Sequence, residues 1–118
     1  MGNGFVRALE DRSELEITVK GRRSKEEHST PVWFVHEGSK VYLLPVKGSE
    51  TNWYRNILRN PDMTLAAGRS SVRVQAKSIT EPNLVQNVIK LFAAKYGGMD
   101  EINRWYSKLD VAVEIVLP

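Results

Sequence analysis

The chain has 118 residues, 42% of them hydrophobic and 26% charged, which is the make-up of an ordinary globular protein and argues against both disorder and a membrane span. Its net charge of +3 is modest, and the absence of cysteine excludes a disulfide framework and a thiol nucleophile, so a reducing, cytoplasmic setting is the default expectation. This length suits one domain, residues 1–118, that buries a core without covalent or metal staples.

In chain order, the opening MGNGFVRALEDRSELE mixes acids with bases and has no apolar h-region, so no secretory signal is expected. Val6 stands where a myristoylation motif needs Ser or Thr. ELEITVK alternates Leu15, Ile17 and Val19 against Glu16, Thr18 and Lys20, the pattern of a half-buried strand, and Gly21 marks the turn that follows. TPVWFVH is apolar on both faces, Val32 and Phe34 against Trp33 and Val35, which predicts a strand covered on both sides. HEGSK reads as a hairpin turn at Gly38, and KVYLLPV returns as a strand whose Pro45 implies an edge or a bulge. In GSETNWYRNILRNP the period changes. Trp53 with Ile57 and Tyr54 with Leu58 sit four apart, Ser49 or Thr51 is available as N-cap, and Pro61 is the stop of a short helix. A second hairpin turns at Gly68. TEPNLVQNVIKLFAAKYGG is the strongest helix, with Leu84, Val88, Leu91 and Phe92 as its stripe, Pro82 in the first turn and Gly97 as C-cap. MDEINRWY predicts a shorter helix and VAVEIVL a closing strand. Six or more hairpin-joined strands with one inserted helix and late helices predict a mainly β, α+β fold, a small antiparallel barrel with helical lids.

Several chemistries leave no mark. The two histidines, His28 and His36, and the dispersed carboxylates show no metal-ligand spacing, and there is no nucleophile elbow, P-loop or Rossmann fingerprint. What remains is a cluster of cations, Lys20, Arg22, Arg23 and Lys25, at a turn. As a solvated turn it would be unremarkable. As a phosphate site it makes chemical sense: guanidinium forks pair with phosphate oxygens, Ser24 adds a hydroxyl, and Gly21 lets the backbone come close. Lys47 and Gly48 stand before a helix N-terminus, a second corner that favours an anion. Trp53 is placed either in the core or flat against a planar ring, and Asn56 either faces solvent or hydrogen-bonds a ligand's polar edge. Binding of single-stranded nucleic acid is disfavoured, because the successive Trp33 and Phe34 must point to opposite faces and cannot form one stacking platform.

GRRSKEEHSTPVWFVHEGSKVYLL, then KG, then WYRNILRNPDMTL, resembles the split β-barrel flavin and deazaflavin oxidoreductases, most closely the deazaflavin (F-420)-dependent nitroreductase family. The likeness runs from about Leu15 to Leu65, with an echo in VAVEIVLP. It implies a split barrel that binds F-420 and passes a hydride to or from a small electron-poor acceptor such as a quinone, enone or nitro compound. It implies that Arg22, Arg23 and Ser24 hold the cofactor's phosphate and acidic tail, that Lys47 assists, that Trp53 and Asn56 flank the ring system, and that Pro31 lies on the strand lining it. No catalytic side chain is assigned. His28 replaces the family's usual Arg, Lys25-Glu26 replaces Gly-Lys, the loop from Gly48 to Trp53 is shorter, and Met99 and Ile102 stand where the family tends to place substrate-side tyrosines, with Tyr96, Trp105 and Tyr106 nearby. The shortened loop and the missing basic residue also suit the related FMN-binding barrels that resemble pyridoxamine phosphate oxidase, and a flavin-binding protein without turnover is a further alternative. Split barrels commonly pair, so the resemblance is compatible with a homodimer whose cofactor lies at the subunit boundary.

Overall fold

A computed structural model describes residues 2–118. Helix α1 (Gly2–Leu9) precedes β1 (Glu14–Lys20), β2 (Glu27–Trp33), β3 (Val35–Glu37) and β4 (Lys40–Leu43). A single 3-10 turn (Gly48–Glu50) leads into α2 (Asn52–Arg59), followed by β5 (Asp62–Ala67), β6 (Ser70–Ile79), α3 (Pro82–Tyr96), α4 (Met99–Trp105) and β7 (Ala112–Val116). Among the described residues no helix is long and apolar enough to cross a membrane.

The seven strands form one antiparallel sheet in the order β2-β1-β5-β6-β7-β4-β3. Its two end strands, β2 and β3, are consecutive in the chain with only Phe34 between them, so the sheet must curl until its ends meet. Long β6 makes the matching bend: Ser70 to Gln75 pair with β5, and Ala76 to Ile79 pair with β7. The result is a split barrel with two packed layers. Val32 and Phe34 pack into the barrel interior with Leu15, Ile17, Val19, Leu65 and Ile115, whereas Trp33 and Val35 pack outward against α3 and α4. The expectation of a strand covered on both faces thus holds from Val32 to Val35, while Glu27 to Pro31 are exposed because β2 is an edge.

At the bend Phe34 is fully buried and belongs to no ladder, so its backbone groups need other partners. The C-terminal end of α3 provides them. The Phe34 N–H donates to the Tyr96 hydroxyl at 2.9 Å, and the Phe34 carbonyl accepts from Lys95 Nζ at 2.8 Å and lies 2.7 Å from the same hydroxyl.

Other details depart from the sequence reading. Helix α1 was not anticipated; Phe5 and Leu9, one turn apart, insert into the barrel core and close that end. The buried stripe of α3 is Val85, Val88, Ile89 and Phe92, and Leu84 is exposed. Leu58 on α2 is exposed likewise, and Pro45 lies just past the end of β4, fully buried.

Candidate functional site

The β1–β2 turn, the segment from Leu44 to Thr51, α2, and the end of α4 together enclose a cleft of about 1080 Å³. All seven residues singled out from the sequence, Arg22, Arg23, Ser24, Pro31, Lys47, Trp53 and Asn56, line it. They converge because β1 pairs with β2 up to Lys20 and Glu27, which projects the intervening turn beside α2.

Asn56 is only 6% exposed and explains how the turn is held. Its Oδ1 accepts from the Arg22 N–H at 3.1 Å and from Arg22 Nη1 at 2.8 Å, and Arg22 Nη1 also reaches the Asn52 carbonyl at 3.5 Å. Every partner of this guanidinium is neutral, so its charge is oriented without being cancelled. Among the described residues the ion pairs join Arg104 to Glu101 and Lys108 to Glu50 and Asp110; none involves Arg22, Arg23 or Lys47. Three cations without carboxylate partners line this cleft and favour an anion in it, more so where water is partly excluded.

The turn itself is tight. A Cβ at Gly21 would meet Ser24 Oγ at 2.9 Å and His28 Nε2 at 3.0 Å, so any side chain there would have to push both groups aside. Ser24 Oγ accepts from the Glu26 N–H at 3.2 Å, which leaves its own proton free to donate.

The second anion corner differs from its sequence reading. The N–H groups of Gly48, Glu50 and Thr51 are spent on the carbonyls of Pro45, Lys47 and Gly48, and that of Ser49 donates to Asp110 Oδ1. Thr51 stands at the N-cap of α2, but its hydroxyl accepts from the Lys47 N–H at 2.8 Å instead of capping the helix. The contribution of this corner is therefore the Lys47 ammonium, on a backbone anchored by Asp110. Burial alone would raise the Asp110 carboxyl; hydrogen bonds from Ser49 and the nearby Lys108 hold it below its usual value.

Trp53, 8% exposed, serves both readings at once, since it packs in the barrel core and its remaining surface lines the cleft. Residues not assigned from the sequence form an aromatic part of the cleft wall and its backing. Trp33 stacks on Tyr96 (centroids 4.3 Å apart, planes within 5°) and meets Trp105 and Tyr106 edge-on at 6.4 and 6.1 Å. Met99 is exposed and Ile102 fully buried, whereas Trp105 and Tyr106 reach the cleft. Strand alternation already put Trp33 opposite Phe34, but its meeting with residues more than sixty positions later required the fold. Among the described residues no three His, Asp or Glu side chains gather as a metal-binding set.

Fold and cleft define a split β-barrel protein with a wide cleft lined by both cations and aromatic rings. The chain belongs to the bacterial family DUF2255, described as an uncharacterized protein conserved in bacteria, whose pattern matches residues 6–113. No curated protein matches it in sequence. Solved structures with the same fold include an F-420-H2 dependent reductase, 20% identical over 88% of this chain and 94% of that one, TM-score 0.69. A chain described as a domain-swapped dimer is 20% identical over 96% and 94%, TM-score 0.70. A putative pyridoxamine 5'-phosphate oxidase from Listeria innocua is 14% identical over 98% and 92%, TM-score 0.71.

Proposed function

We propose that the cleft binds a planar, phosphorylated, redox-active cofactor, the deazaflavin F-420 as the first reading and FMN as its alternative, and that the protein is an oxidoreductase acting on a small electron-poor organic compound. The observation that carries this is the group of three cations without carboxylate partners, Arg22, Arg23 and Lys47, lining one cleft together with Trp33, Trp53 and Trp105. About 1080 Å³ lies just above the usual range for small-molecule sites, roughly 300–1,000 Å³, and leaves room for a large cofactor with a second reactant. The donor set fits the group: Arg22 and Arg23 with the Ser24 hydroxyl for phosphate, Lys47 for a further negative charge, Trp53 and Pro31 beside the rings.

When bound, such a cofactor supplies hydride transfer to or from an acceptor such as a quinone, enone or nitro compound. The chain's own part is to fix the anion through a guanidinium that Asn56 aims, to lay apolar surface against the rings and to keep water from them. No catalytic side chain is proposed. The same reading takes the protein as a cytoplasmic homodimer, because exposed edge strand β2 supplies one wall of the cleft and a second copy would cover it. A protein that holds flavin without turnover is the alternative within the same site.

Titration with FMN and with F-420, side by side, tests the proposal. One of them is expected to bind, and Arg22→Ala or Lys47→Ala to weaken it about tenfold or more, the worth of one hydrogen bond to a charged group. Failure of both cofactors, or affinity unchanged by both substitutions, refutes it.

A further inference from the structure

We propose that His28 is a further member of the anion site, one that joins it only when its imidazole is protonated, so that the cleft holds a phosphorylated ligand more tightly as pH falls through neutrality. This rests on the reading of Arg22, Arg23 and Lys47 as the anchor of the cofactor's phosphate. Strand register fixes where the ring lies. His28, Thr30 and Val32 are alternate residues of β2 opposite Val19, Ile17 and Leu15, the inward row of β1, and all three line the cleft. His28 stands at the end of that row nearest the β1–β2 turn. Its Nε2 and the Ser24 Oγ both lie within 3.0 Å of one point, the place a Cβ on the buried Gly21 would occupy. The ring nitrogen and the hydroxyl therefore flank the stretch of backbone that carries Arg22 and Arg23.

The charges around the ring decide what its protonation does. Among the described residues His28 enters no ion pair, so no carboxylate holds its proton. From the turn, Arg22 and Arg23 line the cleft, while Lys25 and Glu26 are exposed outside its lining. Lys20 and Glu27, each one residue nearer the turn, are strand partners on the opposite face of the hairpin. The segment before α2 brings Lys47 and Glu50, the latter held by Lys108 at 3.2 Å. Helix α2 presents the neutral Asn52, Trp53 and Asn56, and Tyr106 at the end of α4 keeps its phenolic proton because burial raises its pKa. Glu14 lies at the far end of β1, five residues from Val19. A ligand anion among the three cations is thus the negative group that an imidazolium here would meet. Proton and anion then favour each other's binding reciprocally, and imidazole is the side chain whose ordinary charge change falls between about pH 5 and 8.

Calorimetric titrations with FMN and with F-420 between about pH 5.5 and 8.5 test this. The phosphate of FMN itself changes charge near about pH 6, so the readout is the ratio of wild-type affinity to that of His28→Gln, in which the ligand's titration cancels. That ratio is expected to rise about tenfold from the alkaline to the acid end, the worth of one hydrogen bond to a charged group. Proton uptake on binding, read from buffers of different ionisation enthalpy, is expected to be larger in wild type than in the variant. His28→Arg, whose charge does not titrate, is expected to abolish the rise and to bind about tenfold more tightly than wild type at the alkaline end. His28 is exposed, so both variants are expected to melt as wild type does, and riboflavin, which lacks the phosphate, is expected to give a flat ratio. A flat ratio with the phosphorylated ligands, or a His28→Arg variant that keeps the wild-type pH profile, overturns the proposal. Inorganic pyrophosphate, titrated in the same way, separates the two readings. Pyrophosphate binding that follows His28, with neither cofactor bound, refutes the cofactor reading alone; cofactor binding that Arg22→Ala weakens but whose pH profile His28→Gln leaves unchanged refutes the role of His28 alone.

Discussion

Asn56 offers the sharpest test of how the cationic end is built, because two substitutions there separate holding the turn from orienting its charge. In Asn56→Ala both hydrogen bonds to Arg22 disappear, one from a neutral amide at 3.1 Å and one from a guanidinium at 2.8 Å. A neutral bond contributes roughly 0.5–1.5 kcal/mol and one to a charged group roughly 1.5–3, so the expected loss is about 2–4 kcal/mol. For a domain of this size that is a fall in melting temperature on the order of 10 °C. The Arg22 amide should exchange with solvent faster by a comparable factor.

Asn56→Asp has the same shape and keeps both acceptor contacts, but it sets a carboxylate against the guanidinium. The fold should lose little, because the buried charge gains an immediate partner. Anion affinity should drop about tenfold, since Arg22 is then neutralised in place. Urea melts and cofactor titrations on both variants decide the matter. If Asn56→Asp binds cofactor as wild type does, the charge of Arg22 is not what the ligand meets. If Asn56→Ala melts as wild type does, the contact between α2 and the β1–β2 turn contributes nothing.

The bend between the two halves of the barrel makes a second prediction: Tyr96→Phe leaves the fully buried Phe34 N–H without an acceptor and is expected to cost about 1–3 kcal/mol in urea denaturation, with faster exchange at the Phe34 amide. The same residue sets an alkaline limit. Burial, with a smaller contribution from Glu14 and against the Phe34 hydrogen bond, pushes its phenol from 10.0 to about 12. Stability from this group is therefore complete below about pH 10, where both states are protonated. It is lost as pH rises toward 12, because the unfolded chain releases a proton that the native chain keeps. Lys95, whose pKa burial lowers, acts in the opposite direction, so the measurement is the difference between wild type and Tyr96→Phe, which should shrink across that window; a constant difference refutes it. Gly48→Ala should cost at least about 2 kcal/mol in the same melts, because a methyl group there collides with the Asp110 carboxylate and the backbone already holds φ at 54°. Phe5→Ala should cost about 3–5 kcal/mol if α1 closes the barrel, whereas an undiminished melt would show that helix to be an ornament.

How much of this was readable beforehand follows the range of each interaction. Period-two alternation is local, so β1 with Leu15, Ile17 and Val19 inward was legible, as was the opposition of Val32 and Phe34 to Trp33 and Val35. The stripe of α3 was only half legible. Leu84 stands next to Val85 and Leu91 next to Phe92, so two apolar rows compete, and which one is buried depends on where the helix lies on the outer sheet. Eight residues of α1 are too few for a period to stand out from the charges around them, although Phe5 and Leu9 carry the spacing.

The site divides in the same way. Arg22, Arg23 and Ser24 are neighbours in the chain, so their joint charge was visible as a cluster, and Lys47 and Trp53 were visible as the approach to a helix. Their convergence with α2 depends on the Arg22–Asn56 contact across thirty-four positions, and only hairpin geometry could have suggested it. The aromatic wall was out of reach, because Trp33 and Tyr106 meet beside the bend at Phe34, whose backbone groups are satisfied by Lys95 and Tyr96 from a third element. Tyr96 thereby connects fold and site: its hydroxyl holds the backbone of Phe34 while its ring stacks on Trp33. Removing the hydroxyl alone should loosen the bend and leave the stack, so Tyr96→Phe is expected to reduce stability more than cofactor affinity. A loss of cofactor affinity as large as the loss of stability would mean that the bend and the aromatic wall of the cleft are one cooperative unit.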